Sequence, residues 1–403
     1  MRIRNCRLVD KPGHFFDVTV TAEKISAINL STDNDIGVVQ YPQIIDAKGG
    51  LLTTSLAEPH AHLDKAFLSE RIANPSGDLM GAINAMETNR HLITVEDTII
   101  RAERAVRLMV SNGVTAIRTH ADVTEWNSLD SIEALTEVRN RTRDIVEMQI
   151  VALLGWPLSG NLGQANLTLG KKAIHLGADI LGGCPHLDAD PVGANIALLK
   201  LATELDCPLD LHTDEHTDEK RISLEDLADR VIATGFKHPV TASHCVSLGV
   251  QKPNDQKRIS EKVALANIGV VTLPHTNLFL QGRDNTAAPP RGLTAVKALR
   301  TAGVRVAAGA DNLQDPFNPV GNGDPLETAS LLVLAAHQLP DDAFAAISNT
   351  AKSVMGLPVT EIRVGDVANL MLTPAGSLRV AIATRSSRQM VMSLGRLSHI
   401  TIN

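Results

Sequence analysis

The stretch Glu58-Pro59-His60-Ala61-His62-Leu63-Asp64-Lys65 follows a short apolar run, Leu51-Leu52, and predicts the carboxyl end of a buried strand. Side chains two residues apart on an extended backbone lie on the same side, so His60 and His62 face one way. Two imidazoles that project together from a strand end make half of a metal site. A lone His-x-His is more often a pair of loop histidines, so this interpretation depends on ligands elsewhere in the chain.

The composition excludes several classes of protein. Of the 403 residues, 44% are hydrophobic, which is enough for one large α/β domain with an appendage. The net charge of −7 comes from well-mixed charges, without the basic run that nucleic acid binding requires. No apolar stretch reaches membrane-spanning length, and the first residues lack a secretory apolar segment. We therefore expect a small-molecule substrate, and we leave a homo-oligomer open.

The four cysteines are widely scattered, at Cys6, Cys184, Cys207 and Cys245. This spacing is neither a disulfide framework nor a zinc-binding Cys-x-x-Cys pattern. The sequence therefore predicts a reducing, cytoplasmic location.

Strand and helix patterns alternate through the middle of the chain. The strand-like segments lie near residues 51–58, 114–119, 147–154, 178–183, 208–212, 239–243, 269–273 and 304–310. Eight βα repeats in sequence predict a (β/α)8 TIM-like barrel over residues 51–356. A doubly wound open sheet is the weaker alternative, because no glycine-rich phosphate loop follows the first strand. Residues 1–50 and 357–403 show short alternating segments, which predict one small composite β-sandwich built from both termini.

Polar residues follow the predicted strands at the point where each strand ends. In a parallel barrel the carboxyl ends of the strands carry the catalytic groups. These strand-end runs, in which histidine recurs, are His60-Ala61-His62, Arg118-Thr119-His120-Ala121-Asp122, Pro185-His186, Leu211-His212-Thr213-Asp214-Glu215, Ser243-His244-Cys245, Pro274-His275-Thr276-Asn277 and Gly309-Ala310-Asp311-Asn312. Core or surface histidines would show no such direction, so we predict a site at the barrel mouth.

A metal ligand set follows from these strand ends. The predicted ligands, with one position left open for water, are His60, His62, His212 and Asp311. Three neutral imidazoles and a carboxylate suit one divalent Zn or Fe(II) ion better than Mg or Ca, which prefer oxygen cages. Such an ion lowers the pKa of bound water to roughly 7, which gives hydroxide at neutral pH. Asp311 can also accept the proton of that water, although Asp at such a place is also a common helix N-cap.

Two further residues are candidates for proton transfer. His244 is placed to polarise the water and the developing oxyanion, and Glu215 could carry a proton to a ring nitrogen and then to a leaving amine. Glu215 lies in an acidic run at residues 214–219, so a solvated loop charge is the competing interpretation. The residues expected to support the ligands rather than to bind the metal are His120, Asp122 and His186.

These motifs together resemble the amidohydrolase superfamily, and within it the cytosine deaminase branch, which includes hydrolases of N-substituted aminotriazines. The matching stretches, spread across nearly the whole barrel, are EPHAHLDK (58–65), RTHADV (118–123), HTDE (212–215), TASHC (241–245), NLFLQGR (277–283), PRGLTAVKAL (290–299) and GADNLQDPFNPVGNGD (309–324). The resemblance implies a (β/α)8 barrel with a terminal β-sandwich and a single catalytic Fe(II) or Zn ion. It also implies hydrolytic release of ammonia or an amine from a nitrogen heterocycle, with the roles already given to the site residues.

The sequence departs from the cytosine deaminases after the third strand. Those enzymes carry a Phe-Pro-Gln-Glu-Gly-like turn whose Gln reads the pyrimidine amide edge, whereas this chain has Leu153-Leu154-Gly155-Trp156-Pro157-Leu158-Ser159-Gly160. An apolar wall discriminates weakly between ring analogues, so a bulkier or N-alkylated cyclic amidine is expected. Trp156 could equally be a packing residue, and Gln281 could equally hold the seventh loop. The predicted substrate contacts are Trp156, Leu158, Gln281 and Asn312.

The leading hypothesis is a metal-dependent deaminase or aminohydrolase of a cyclic amidine or amino-substituted N-heterocycle that is cytosine-like, pterin-like or triazine-like. The first alternative is hydrolysis of a cyclic amide such as a hydantoin or lactam. Enzymes of that kind often carry a carboxylated Lys after strand 4, where this chain has Cys184-Pro185-His186. The second alternative is a non-catalytic barrel with a structural metal, which would leave Glu215 and His244 idle. The long connection 66–93 is expected to cover the mouth as a lid.

Overall fold

The computed structural model describes residues 1–32 and 43–401 of the chain. The strands are β1 (Arg2–Leu8), β2 (Phe16–Thr21), β3 (Lys24–Leu30), β4 (Ile44–Asp46), β5 (Leu51–Thr54), β6 (Leu56–Ala61), β7 (Val114–Val123), β8 (Glu147–Leu154), β9 (Ile180–Gly183), β10 (Leu209–Thr213), β11 (Val240–His244), β12 (Gly269–Thr272), β13 (Val306–Ala308), β14 (Leu370–Thr373), β15 (Met390–Ser393) and β16 (Arg396–Ile400).

The helices separate the strands of the central region. They are α1 (Leu79–Thr88), α2 (Val95–Ser111), α3 (Asp130–Thr142), α4 (Gln164–Leu176), α5 (Pro191–Leu205), α6 (Leu224–Thr234), α7 (Val246–Gly249), α8 (Pro253–Leu265), α9 (Pro274–Leu280), α10 (Val296–Thr301), α11 (Pro325–Ala335), α12 (Pro340–Ala346), α13 (Asn349–Val354) and α14 (Leu378–Thr384), with short 3-10 turns at Arg90–Leu92 and Pro185–Leu187. Within the described residues, no helix combines the length and apolar character needed to cross a bilayer.

Strands β6 to β13 form a parallel barrel in which each strand pairs with the next along the chain. The barrel closes where the segment after β13 meets β6. There the Asp311 N–H donates to the His60 carbonyl at 3.0 Å, and the His62 N–H donates to the Asp311 carbonyl at 3.1 Å. The predicted (β/α)8 barrel is confirmed. Because the first and last strands meet at this point, two predicted ligands from the first strand lie beside the predicted ligand from the last.

Strands from both termini form a second sheet, with the order β16-β15-β14-β5-β1-β2-β3 and with β4 paired to β1. The sheet curls back on itself, since Lys24 of the edge strand β3 forms an antiparallel bridge to Val367, just before β14. It encloses a small core of its own, which includes Ile3, Leu52 and Met392. The predicted composite β-sandwich of the two termini is therefore confirmed.

The strand predicted at 51–58 is in fact two strands that belong to different sheets. Leu51–Thr54 pairs with β1 and β14 of the terminal sheet, and Leu56–Ala61 is the first barrel strand. Apolar pattern alone could not separate them, because both are buried and only the chain's change of partner at Ser55 divides them. The terminal sheet therefore extends four residues past the boundary proposed at residue 50.

Helix α2 shows how the sequence sets the outer layer. The hydroxyl of Thr94 accepts a hydrogen bond from the backbone N–H of Asp97 at 3.1 Å, which satisfies a donor that the first turn would leave free. Ala102, Val106 and Met109 recur at helical spacing and are buried. They join one large aliphatic core that surrounds the barrel and holds its strands rigidly.

Candidate active site

The strand ends bring the predicted metal ligands to one point at the barrel mouth. One atom from each of His60, His62 and His212 lies within 4.8 Å of the other two, and the same holds for His60, His244 and Asp311. All five side chains are buried. Residues separated by 251 positions, from His60 to Asp311, are thus brought together by the closure of the barrel.

The converging atoms are spaced like ligands of one ion. Nε2 of His62 lies 3.2 Å from Nε2 of His212 and 3.2 Å from Oδ1 of Asp311. Nε2 of His60 lies 3.6 Å from the same carboxylate oxygen. Metal bonds of about 2.0–2.2 Å at tetrahedral angles would place ligand atoms about 3.3–3.6 Å apart. Among the residues that the structure describes, Nε2 of His60 and both carboxylate oxygens of Asp311 are buried and have no hydrogen-bond partner, so this set fits a divalent cation.

The protonation states of the three ligand histidines also suit metal binding. Burial lowers the pKa of His60, His62 and His212 well below its usual value, so the three rings are neutral at neutral pH. The hydroxyl of Ser243 donates to Asp210 at 3.2 Å, so it accepts a hydrogen bond from Nδ1 of His60 at 2.9 Å. The lone pair of His60 therefore lies on Nε2, which faces Asp311. A neutral imidazole with its tautomer fixed in this way is a preferred ligand of Zn and Fe(II).

Arg118, His120 and Asp210 lie behind His60 and hold its ring in place. Nη1 of Arg118 donates to Asp210 at 2.8 Å, and the ring of His120 stacks on that of His60 with centroids 3.9 Å apart. His60, His120 and Asp210 are also close enough to hold an ion. Because the Asp210 carboxylate already compensates the charge of Arg118, the group better fits a support for the ligands.

Lys65 is a buried cation beside the ligands. Its Nζ lies 3.1 Å from Nδ1 of His62, 2.7 Å from Oδ1 of Asp122 and 3.4 Å from Oδ1 of Asp64. Burial opposes its charge, but the two carboxylates outweigh burial and raise the pKa of Lys65 above its usual value. Burial raises the pKa of Asp122 to about 6, an effect that Lys65 opposes, so Asp122 is largely ionised at neutral pH. Sequence reasoning missed Lys65 as a site residue, and its position directly after the His-x-His motif was the available signal.

Glu215 and His244 face each other across the site. Oε1 of Glu215 lies 3.5 Å from Nδ1 of His244, and Nδ2 of Asn277 lies 3.1 Å from that nitrogen and 3.4 Å from that oxygen. Burial, reinforced by the charge of Asp311, raises the pKa of Glu215 well above its usual value and so favours the protonated carboxyl. Burial lowers the pKa of His244 to about 4, so its ring is neutral.

The acidic run at 214–219 is not a uniform solvated loop. Glu215 is only 5% exposed. The carboxylate of Asp214 accepts hydrogen bonds from the backbone N–H groups of Ser223 and Leu224, at the start of α6. The two neighbouring acids therefore have different roles, since Asp214 fixes the loop and Glu215 faces the cavity. The sequence did not single out Asn277, although its place in the polar run after the seventh strand was a signal.

His244 and Asp311 both have left-handed backbone conformations, with φ of 67° and 64°. Residues with a Cβ rarely adopt this conformation, which costs roughly 1–3 kcal/mol in a strained position. Such strain persists when the surrounding structure over-determines the conformation, and it clusters at functional sites.

A cavity opens above the ligands and is walled mainly by apolar side chains. The chain has only two tryptophans, Trp126 and Trp156, and both line this cavity. Glu215, His244 and Asn312 also reach its wall. In a chain with 2% aromatic residues this concentration is informative, because flat rings are complementary to a flat heterocycle. Sequence reasoning named Trp156 but missed Trp126, whose rarity was the only signal.

Two of the predicted substrate contacts do not line the cavity. Leu158 is fully buried in the main core, and its backbone N–H donates to Asp188 at 2.6 Å. The side-chain amide of Gln281 donates to the carbonyl of Glu215 at 3.1 Å, so it holds the loop. Asn312 lies on the wall, but its amide is already paired with Thr276 and Asp315. We therefore keep only Trp156 as a proposed substrate contact from this set.

The connection at 66–93 contributes one wall of the cavity. Its helix α1 contributes four lining residues, which are Leu79, Ile83, Met86 and Glu87. The helix begins at Asp78, whose carboxylate accepts from the backbone N–H of Gly81 at 2.7 Å. Its placement over the site agrees with the predicted lid, whose effect on specificity stays a prediction.

The sequence matches the family model described as "Amidohydrolase family" over residues 94–396, which covers the barrel from α2 onward and the strands β14 and β15 of the terminal sheet. The chain belongs to the amidohydrolase family. It is 32% identical to the pterin deaminase of Rhizobium rhizogenes, over 87% of this chain and 81% of the relative. It is 26% identical to the N-isopropylammelide isopropyl amidohydrolase of a Pseudomonas strain, over 98% of this chain and 96% of the relative.

A solved structure of this amidohydrolase family agrees with these matches. The 5-methylcytosine deaminase of Klebsiella pneumoniae, with bound 5-fluorocytosine, superposes with a TM-score of 0.90 at 28% identity, over all of this chain and 98% of that one. The predicted resemblance to the cytosine deaminase branch, near the triazine hydrolases, is confirmed. This amidohydrolase is a hydrolase. Cys184 lies on its cavity wall. Cyclic amide hydrolases often carry a carboxylated Lys at this place in the chain, after the fourth barrel strand.

Proposed function

We propose that this amidohydrolase is a metal-dependent deaminase or aminohydrolase that attacks a ring carbon of an amino-substituted N-heterocycle and releases ammonia or an amine. One observation carries the proposal: the buried carboxyl of Glu215 and the ring of His244 face the same cavity as a set of ligands suited to one cation. The similarity to a pterin deaminase and to a triazine aminohydrolase supports this reaction class.

The residues proposed to hold the ion are His60, His62, His212 and Asp311. The chemistry that a divalent ion supplies there is a water molecule whose pKa is lowered to roughly 7. The ligand set of nitrogen donors and one carboxylate favours Zn or Fe(II), and we propose one ion because Cys184 replaces the Lys that often bridges two.

Each remaining side chain has a role at a stated atom. Asp311 accepts the first proton of the attacking water at a carboxylate oxygen, which has no other partner. Nε2 of His244, also unpartnered, donates a hydrogen bond to the oxygen that gains negative charge. The Glu215 carboxyl gives its proton to a ring nitrogen, and it then passes the proton of the new hydroxyl to the leaving amine. The proton held by Asp311 then returns to Glu215, so both carboxyl groups end in their starting states.

Trp126, Trp156 and Met86 are proposed to enclose the ring and exclude water. An apolar enclosure strengthens the electrostatic interactions inside it, and it accommodates a bicyclic or N-alkylated ring as well as a single ring. A cytoplasmic location and a homo-oligomeric state stay predictions of the sequence.

The proposal is tested by measuring ammonia and amine release from pterins, aminopyrimidines and N-alkyl aminotriazines, with protein reconstituted with Zn, with Fe(II) or with neither. We expect release from at least one ring class and only with metal. Glu215→Gln should lose at least 100-fold in kcat while it keeps its metal. Glu219→Gln, an exposed acid of the same run, is the matched control and should retain activity. No release from any ring, or normal turnover by Glu215→Gln, would contradict the proposed reaction or the proposed role.

A further inference from the structure

Asp122 is the member of the buried Lys65 network that opens to the cavity. Its side chain is 14% exposed, compared with 5% for Lys65 and 3% for Asp64. Asp122 and Lys65 both line the cavity, whereas Asp64 does not. The network therefore presents one carboxylate to whatever the cavity binds.

One oxygen of this carboxylate is engaged and the other is free. Oδ1 of Asp122 accepts from Nζ of Lys65 at 2.7 Å. Within the described chain, Oδ2 has no hydrogen-bond partner, and it is not among the buried atoms that lack one. Asn127 also fixes the residue, since its side-chain amide donates to the backbone carbonyl of Asp122 at 2.7 Å. Oδ2 is thus a rigid, accessible hydrogen-bond acceptor on the cavity wall.

Asp122 lies next to the loop after β8. This is the loop in which cytosine deaminases carry a Gln that reads the ring, whereas residues 155–160 of this chain include no amide side chain. In the barrel, Asp122 is paired in register with Leu153 near the end of β8. The backbone N–H of Gly155, at the start of that loop, donates to the carbonyl of Val123 at 2.9 Å. The loop then continues with Trp156, which cannot accept a hydrogen bond. A charged acceptor that can read a ring edge on this side of the cavity therefore lies one strand away, at Asp122.

We propose that Asp122 determines specificity: its free oxygen Oδ2 accepts a hydrogen bond from an N–H on the edge of the substrate ring. This inference rests on the proposed function and names the substrate class for that site. Rings with an N–H at this edge gain a charge-assisted hydrogen bond. Rings with a carbonyl oxygen or a methylated nitrogen there leave Oδ2 of Asp122 without a donor once the ring has displaced water, and a site built for a hydrogen bond discriminates strongly against such rings. Glu215 gives its proton to a different ring nitrogen, so the two acids together select cyclic amidines with an N–H at one ring position and an acceptor nitrogen at another.

A purely structural role of Asp122 is the competing explanation, because the residue also pairs with Lys65. Asp64 provides a matched control, since it contacts the same Nζ and is buried away from the cavity. Asp122→Asn and Asp64→Asn each remove one negative charge from Lys65. Only the first changes the atom offered to the substrate.

The probes are pterin with 3-methylpterin and isocytosine with 3-methylisocytosine, used with the metal-loaded full-length protein. For each pair we measure kcat/KM for amine release, and the Kd by calorimetry. Wild-type protein should favour the N–H ring at least 100-fold in one pair. Asp122→Asn should reduce this preference at least 10-fold, through the N–H ring alone, with unchanged metal content. Asp64→Asn should lower the values for both rings of a pair by the same factor.

The outcomes separate this inference from the proposed function. If wild-type protein releases amine but the preference is absent, or is the same in Asp122→Asn, the inference is overturned while the proposed function stands. Equal loss for both rings in Asp122→Asn and Asp64→Asn would assign Asp122 to the support of Lys65. If the probes bind with the expected preference but no ring of the wider panel is turned over, the proposed function fails while the recognition by Asp122 stands. Absence of both binding and turnover overturns both.

Discussion

The side-chain amide of Asn277 donates a hydrogen bond from Nδ2 to Nδ1 of His244, at a distance of 3.1 Å. A neutral imidazole that accepts at Nδ1 carries its proton on Nε2. Nε2 of His244 is buried and has no hydrogen-bond partner within residues 1–32 and 43–401. Asn277 therefore fixes the tautomer of His244 in which Nε2 carries the proton. In that tautomer Nε2 can donate to the oxygen proposed to gain negative charge, a role that the pKa of His244 alone would not assign.

Replacement of Asn277 tests this relationship. Asn277→Ala should lower kcat by roughly 10- to 100-fold, the range found when a partner that orients an active-site histidine is removed. KM and metal content should change little, because neither depends on the tautomer of His244. Asn277→Asp should be at least as inactive, since a carboxylate would draw the proton to Nδ1. An active Asn277→Asp variant would show that the tautomer of His244 is irrelevant.

The pH dependence of kcat/KM should follow the two perturbed groups. Activity needs neutral His244, whose pKa is about 4, and protonated Glu215, whose pKa is raised well above the ordinary value of about 4.3. The rising limb should therefore lie above about pH 4, set by His244 or by the water whose pKa the ion lowers to roughly 7, whichever ionises at the higher pH. Activity should not decline at the pH at which an ordinary glutamate ionises, and it should fall only as the pH passes the raised pKa of Glu215. A profile that declines from pH 5 upward would contradict the assignment of Glu215 as a proton donor.

The raised pKa of Glu215 also predicts how the free energy of unfolding changes with pH. A carboxyl group whose pKa is higher in the folded than in the unfolded protein contributes its full stability below the unfolded pKa, and this contribution is lost as the pH rises through the folded pKa. Glu215→Gln cannot ionise, so its free energy of unfolding relative to wild type should increase from pH 5 to pH 9. Urea unfolding of both proteins at these pH values measures the difference. Glu219→Gln, at an exposed position, should show no such trend.

Helix α1 offers a matched pair for testing the lid. Met86 lines the cavity and is buried, whereas Met80 on the same helix is 46% exposed and does not line it. Met86→Ala should lower kcat/KM more for bicyclic or N-alkylated rings than for single rings, because the larger rings reach the lid. Met80→Ala should leave this ratio unchanged. Equal ratios in both variants and in wild type would remove α1 from the determinants of specificity.

The closure of the barrel depends on a glycine. A Cβ added at Gly309 would lie 2.4 Å from Oε1 of Glu58 and 3.0 Å from the carbonyl of His60. Glu58 accepts the backbone N–H groups of His60 and Ala310, so it links the first and last strands and cannot move freely. Gly309→Ala should therefore cost roughly 1–3 kcal/mol of unfolding free energy and reduce metal content.

The control for this substitution is Gly376→Ala. Gly376 is exposed, has no neighbour within 4 Å of an added Cβ and does not have positive φ. Its unfolding free energy should change by less than about 0.5 kcal/mol. If Gly309→Ala were as stable as Gly376→Ala, the clash with Glu58 would not be a constraint on the barrel.

The sequence by itself predicted the barrel, the terminal sandwich and the residues that carry the proposed chemistry. The reason is local: a strand has a period of two, so His60 and His62 had to face the same side. Parallel strands in a barrel also end at one face, so residues far apart in sequence, such as His212 and Asp311, could be assigned to one mouth before any distance was known.

Only the tertiary structure decided which neighbours of those residues reach the cavity. Trp126 lines it through a loop whose path no periodicity describes, and Asp122 lines it from the last paired residues of β7. Leu158 packs into the core instead, and Gln281 bonds to the loop of Glu215. The same holds for the pKa values of Glu215 and His244, which depend on burial by elements distant in sequence. Strand ends are set by repeating local geometry, whereas contacts between loops are set by packing across the whole barrel.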